Sequence, residues 1–252
     1  MIGTEVPPPG GARLDDNGHI TPTSPISAAK TLIAHRNAFM NKGIGDLWPQ
    51  VSGLVVQPGV EFGPDQIFNL PSDLNLSLRD VISDYPGICL EAHSTDYQPP
   101  ETFLNLAKMG FAFQKVGPAL TFALRRALYA LDEIVQKLNP SSVTLPMVME
   151  AKMRENPKYW RSHYSEDDKF KWHFSYADRI RYYWALPIVK KAVENLIATF
   201  DELKVSDKIL AERFSPAVLN NSDGLASSRG RAIVRSEIQN ALFPYFLEER
   251  LF

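Results

Sequence analysis

Four short apolar runs, each closed by a polar or turn residue and followed by a helical pattern, organise the first part of the chain. They are Met1 to Val6, Val51 to Gln57 (ending at Pro58-Gly59), Ile88 to His93, and Ala112 to Val116 (ending at Gly117-Pro118). Runs of this length bounded by glycine and proline suit buried parallel strands. Between them, Ser24-Pro25 opens a helix with Ala29, Leu32, Ile33, Phe39 and Met40 read as its inward face. A second helix begins at Asp73 and turns Leu74, Leu78, Val81 and Ile82 inward, and a third covers Glu101 to Met109. The strongest pattern comes after Pro118, where Leu120, Leu124, Ala127, Leu128, Leu131, Ile134, Val135 and Leu138 form one stripe. Strands alternating with helices predict parallel βαβ units.

The alternation stops at Asn139-Pro140-Ser141-Ser142, and the remainder of the chain reads as mostly helical. Pro187 opens an amphipathic helix with Val189, Val193, Leu196, Ile197 and Phe200 inward. Asn220 to Ser228 has linker composition, and a last helix is expected from Arg229 to Phe243. Residues 1–138 are therefore expected to carry the strands, and 139–252 to form a helical C-terminal extension. A (β/α)8 barrel needs eight strands and about 250 residues. Four strands predict half a barrel or a small open sheet.

Composition narrows the setting. With 27 Lys+Arg against 29 Asp+Glu, the net charge is −2. Neither nucleic acid nor an anionic membrane surface is expected as a partner. A single cysteine, Cys89, excludes an internal disulfide and a multi-cysteine zinc site and suits a reducing compartment. It lies in the apolar run Ile88 to Leu90 and is expected to be an inert core thiol. No apolar run approaches the ~20 residues of a membrane span. Met1 and Ile2 lead straight into a loop-like segment with no basic region or apolar core of a signal peptide. The expectation is a cytoplasmic protein whose abrupt start lacks an upstream part.

Chemistry-bearing residues gather at strand C-terminal ends. Glu5, Gln57 with Glu61, Glu91 with His93 and Asp96, and Lys115 all fall at or just past such an end. That is the catalytic rim of a barrel or the ligand crevice of an open sheet. In the segment Glu91 to Tyr97, His93 and Asp96 can bind a divalent metal, relay a proton or hold a hydroxyl. They can equally brace the loop by hydrogen bonds. Glu5 suits a metal ligand or a base, or else a cap. Lys115 suits a Schiff-base nucleophile, and Gly117 offers amides to a phosphate at a helix start. Asp178 to Trp184 (DRIRYYW) sets Arg179 and Arg181 among aromatics, which suits phosphate and sugar-ring recognition. A packed aromatic core around a buried Asp178–Arg pair is the structural alternative. His19, His35, His163 and His173 lack partners at metal-ligand spacing.

Five segments in order, IGTEVPPPGG (residues 2–11), VVQPGVEF (55–62), EAHSTDYQ (91–98), KVGPALTFALR (115–125) and DRIRYYW (178–184), resemble the GatZ/KbaZ family. This is the accessory subunit family of tagatose-1,6-bisphosphate aldolase. The resemblance covers nearly the whole chain and weakens after about residue 200. It implies an α/β protein, a partial (β/α)8 TIM barrel made of the last four βα units, followed by the helical extension. The family's first four strands, with a Gly-Gly-Asp-His-Leu-Gly-Pro segment, have no counterpart here. The implied role is a non-catalytic subunit that stabilises and activates a class II tagatose-1,6-bisphosphate aldolase in galactitol and N-acetylgalactosamine catabolism. The alternative is a metal-dependent tagatose-6-phosphate 4-epimerase. Under it, Glu5 and His93 would hold zinc or another divalent cation. Asp96 and Lys115 would act on the substrate, with Gly117, Arg179 and Arg181 at the phosphate.

Overall fold

The computed structural model describes residues 1–3, 20–140 and 143–246. The chain forms two compact units, one from residues 1–117 with the segment that returns at Pro244, the other from residues 118–243.

The first unit is α/β. In chain order it contains β1 (Ile2–Gly3), α1 (Pro25–Asn41), β2 (Gly53–Val55), β3 (Glu61–Phe62), β4 (Ile67–Phe68), α2 (Ser77–Ile82), β5 (Cys89–Ala92), α3 (Pro100–Lys108) and β6 (Phe111–Gln114). The four strands expected from the pattern are all present and pair side by side in the order β1-β2-β5-β6, every pair parallel. Parallel neighbours need a crossover, and α1, α2 and α3 supply the three. The β3/β4 hairpin is not legible as strands. It is a two-residue antiparallel pair between β2 and α2, too short to show a period.

One face of the sheet is apolar. Leu54, Val56, Leu90, Ala92 and Phe111 pack with Ala28 and Leu32 of α1, Leu78 of α2 and Leu106 of α3. Side chains alternate across a strand, so Gly53, Val55, Cys89 and Glu91 take the opposite face. In α1 the inward stripe is Ala28, Leu32 and Phe39, while Ile33 and Met40 are 52% and 50% exposed. That corrects the face expected for them: the run is apolar on two sides, and packing against the sheet selects one. Ser24 caps this helix, its Oγ accepting from the Ser27 amide at 3.1 Å. Gly3 is required where it stands. Its φ is +151°, and a Cβ there would lie 2.7 Å from Val55 Cβ.

The second unit is helical: α4 (Pro118–Leu138), α5 (Leu145–Glu155), α6 (Lys169–Phe174), α7 (Pro187–Glu202), α8 (Asp207–Leu210), α9 (Pro216–Asn220) and α10 (Arg229–Leu242). Its core joins Leu128, Leu131 and Val135 of α4 to Val189, Ile197 and Phe200 of α7, with Trp160 and Trp172 in ring contact at 4.1 Å. The stripe on α4 from Leu124 to Val135 thus belongs to this core, while Leu138, expected inward, is 43% exposed at the helix end. The units divide at Gly117/Pro118, ahead of the break at Asn139. Among the described residues, no helix is long and apolar enough to cross a membrane.

Candidate functional site

Parallel register brings the strand-end residues of the first unit together. Val55 pairs with Glu91, and Ala92 with Gln114. The Lys115 amide extends the ladder by donating to the Ala92 carbonyl at 3.0 Å. Which way Lys115 points depends on an irregularity. Leu90 pairs with Phe111, but the next residue, Glu91, pairs with Phe113. Ala112 is the extra residue of a bulge, and one extra residue exchanges the two faces of a strand beyond it. Without it Lys115 would share the helix-covered face with Phe111. With it, Lys115 joins Glu91.

The contacts agree. Glu91, 2% exposed, has one oxygen, Oε1, that accepts from Lys115 Nζ at 2.6 Å and lies 2.7 Å from His93 Nε2. Burial pushes the Glu91 carboxyl up. The hydrogen bonds and charges of Lys115 and His93 outweigh that and hold it below its ordinary value. Lys115 keeps 58% of its side chain exposed and His93 keeps 17%. The group is therefore a fixed carboxylate between a proton-carrying ring and an ammonium open to an incoming anion.

Beside it, Asp96 is 2% exposed and accepts from the Gly117 amide at 2.8 Å. The amide expected to meet a phosphate is donated to a carboxylate instead. Glu61, on β3, is equally buried. Its Oε1 accepts from the Phe62 amide at 3.0 Å. Burial, opposed by the Ser94 hydroxyl and the Phe62 amide and assisted by Asp96, raises its carboxyl above the ordinary value. Ser94 and Tyr97, flanking Thr95 and Asp96, sit at φ 53° and 64°. Such backbone strain in non-glycine residues persists where surroundings fix it and gathers at functional loops. Glu61 is legible at the rim from sequence alone, but its membership of this cluster depends on the hairpin. The available signal is a carboxylate inside the apolar run Val55 to Phe62.

Of the other expected site residues, Glu5 lies outside the described residues. Arg179 and Arg181 lie in the helical unit. Arg179 Nε donates to the Tyr159 carbonyl at 2.6 Å, and Arg181 donates to the Ala177 carbonyl at 2.7 Å and the Tyr182 hydroxyl at 3.0 Å. Both guanidiniums lie over the Tyr182 ring, 4.9 and 4.7 Å from its centroid. Asp178, 1% exposed, is ion-paired with Arg125 of α4, itself 0% exposed. This is the buried Asp–Arg core anticipated for the motif, with an arginine from outside it. Cys89 is only partly buried, on the face away from the helices rather than in the core expected for it. Its thiol donates weakly to the Ser52 carbonyl at 3.1 Å, and burial raises its pKa. Two cavities, of 570 and 450 Å³, lie in the helical unit, and none of the expected site residues lines either.

Among the described residues, no three His, Cys, Asp or Glu side chains converge as a metal would require. Around His93 the one close carboxylate oxygen already meets an ammonium and an imidazole nitrogen. The described residues do not form a ligand set on their own.

Comparison with known proteins adds two findings. The sequence model of a family described as D-tagatose-1,6-bisphosphate aldolase subunit GatZ/KbaZ-like matches residues 1–248. The crystal structure of a protein named as a probable tagatose 6 phosphate kinase, from Sinorhizobium meliloti 1021, superposes with a TM-score of 0.80 at 35% identity. The superposition covers 89% of this chain and 59% of that one, so the chain spans less than two thirds of that relative's length.

Proposed function

Because this chain belongs to the GatZ/KbaZ-like family of D-tagatose-1,6-bisphosphate aldolase subunits, we propose that it is a cytoplasmic, non-catalytic accessory subunit. It would stabilise and activate a class II tagatose-1,6-bisphosphate aldolase in tagatose 6-phosphate catabolism. The observation that carries this reading is the continuous family match over residues 1–248. The architecture supports it: four parallel strands in sequential order, each crossover carrying a helix, are what the last four units of a (β/α)8 barrel would contribute. Under the epimerase alternative taken up below, Lys115 would present its exposed ammonium to the anionic sugar phosphate. Glu91 orients Lys115 and His93, and Asp96 fixes the loop behind them. Under that alternative Glu5 and His93 would hold zinc or another divalent cation; the described residues supply no ligand set around His93.

Cleavage of tagatose 1,6-bisphosphate by a class II aldolase, with and without this chain through a warm incubation, tests the proposal. The expected result is higher or longer-lived activity. No effect from this chain, where a longer family member does protect the aldolase, overturns it.

The Glu91–His93–Lys115 group favours a second reading, a tagatose-6-phosphate 4-epimerase. A buried carboxylate, an imidazole and an ammonium sharing one oxygen can hold and return a proton. Conversion of tagatose 6-phosphate to its C4 epimer by the chain alone, lost in His93→Ala, would select this reading over the first.

A further inference from the structure

The loop that carries His93 and Asp96 is held in a conformation its own residues do not favour. Ser94 and Tyr97 are left-handed, and Thr95 between them is 0% exposed. Several holds are visible. Glu61 accepts from the Ser94 hydroxyl. The Phe62 ring meets Tyr97 edge-on at 5.5 Å. The Gly117 amide donates to Asp96 at 2.8 Å. A further hold comes from the far end of the chain. Tyr245 places its hydroxyl 3.0 Å from Thr95 Oγ1 and its ring 4.3 Å from that of Phe103.

The direction of these bonds is set by proton count. Thr95 has one hydroxyl proton, and the Lys115 carbonyl, 2.8 Å from Thr95 Oγ1, can only accept. Tyr245 is therefore the donor to Thr95. A directed chain runs from the Tyr245 hydroxyl to Thr95 and on to the Lys115 carbonyl. Lys115 is the residue whose ammonium meets Glu91.

The geometry points to Tyr245 as a positioning residue of this site. It fixes Thr95, and through it the loop from His93 to Tyr97 and the backbone of Lys115. The chain leaves this unit after Gly117 and returns at Pro244. Adjacent loop residues hold both segments, Asp96 the departing one and Thr95 the returning one. The loop therefore reaches its final form only once the chain has come back. The functional meaning of this placement rests on reading the loop as the site; the hydrogen-bond chain does not.

Hydrogen–deuterium exchange on the whole chain tests this with Tyr245→Phe and Tyr245→Leu. Phenylalanine keeps the ring against Phe103 and removes only the donor. Positioning predicts that Y245F speeds exchange of the amides of residues 94–98 and of Gly117 about two- to ten-fold, the range set by one lost hydrogen bond. Y245L should act similarly there, while amides of α4 and α7 keep their rates. Thr95→Val, which removes both bonds of the relay, should speed the same amides at least as much as Y245F. Wild-type exchange in Y245F with loosening only in Y245L would make Tyr245 a packing residue and overturn the proposal. Because no ligand or aldolase enters this experiment, its failure is distinguishable from failure of the accessory role.

Discussion

Glu61 and Glu91 are equally buried carboxylates, each 2% exposed, and their environments push them in opposite directions. Burial dominates at Glu61 and raises its pKa. At Glu91 burial is outweighed by Lys115 and His93, and the pKa is lowered. The signs of their pH effects therefore differ. Ionised Glu91 favours folding, a contribution present above the ordinary carboxylate range and lost as pH falls through its depressed folded value. Ionised Glu61 opposes folding, and that penalty is relieved as pH falls through its raised folded value. Lys115→Met should lower stability at neutral pH by about 1 kcal/mol, a modest figure because the lysine is largely solvated. Glu61→Gln should raise it, on the order of 1 kcal/mol, if the amide oxygen keeps the Phe62 and Ser94 bonds. Urea titrations from neutral to acid pH check both. Both differences from wild type should shrink on acidification, that of Glu61→Gln at the higher pH and that of Lys115→Met persisting to lower pH. Same-signed effects at neutral pH would refute the assignment.

Elements show where a motif read for function serves structure. Asp178 ends a turn in the left-handed region, φ 46°. Its charge meets Arg125 of α4, and its Oδ2 accepts from the Thr121 hydroxyl at 2.5 Å. Arg125 also lies 4.2 Å from the Phe122 ring centroid. Both charges are out of water, so removing one leaves the other uncompensated. Asparagine tolerates left-handed backbone, so Asp178→Asn isolates the charge. It should cost the helical unit about 3 kcal/mol by chemical denaturation followed through the Trp160–Trp172 pair. A cost below about 1 kcal/mol would mean the pair behaves as a solvated one.

For the whole molecule, the parallel sheet has two outer strands, β1 and β6, each paired on one side only among the described residues. Parallel sheets are normally covered, and bare edges invite further pairing. Apolar side chains lie near both edges: Met1 beside β1 is 51% exposed, and Phe113 in β6 is 44% exposed. The isolated chain is expected to self-associate. Sedimentation velocity over a range of concentrations should show mass above the monomer, and a monodisperse monomer with one cooperative melt would count against it.

The sequence by itself determined the four strands, their alternation with helices and the helical remainder. Those come from local periodicity and from the glycines and prolines that end each run. It also brought Glu91, His93, Asp96 and Lys115 to notice, because chemistry-bearing residues at strand ends are visible in order along the chain. It did not show the face chosen by α1, where Ile33 and Leu32 are equally apolar and only packing separates them. Nor did it show the bulge at Ala112 that turns Lys115 toward Glu91, since strand parity depends on the partner's register. The meeting of Thr95 with Tyr245, 150 positions apart, belongs to the tertiary structure as well. Periodicity carries information over a few turns, and a contact across the chain is fixed only when folding brings its two ends together.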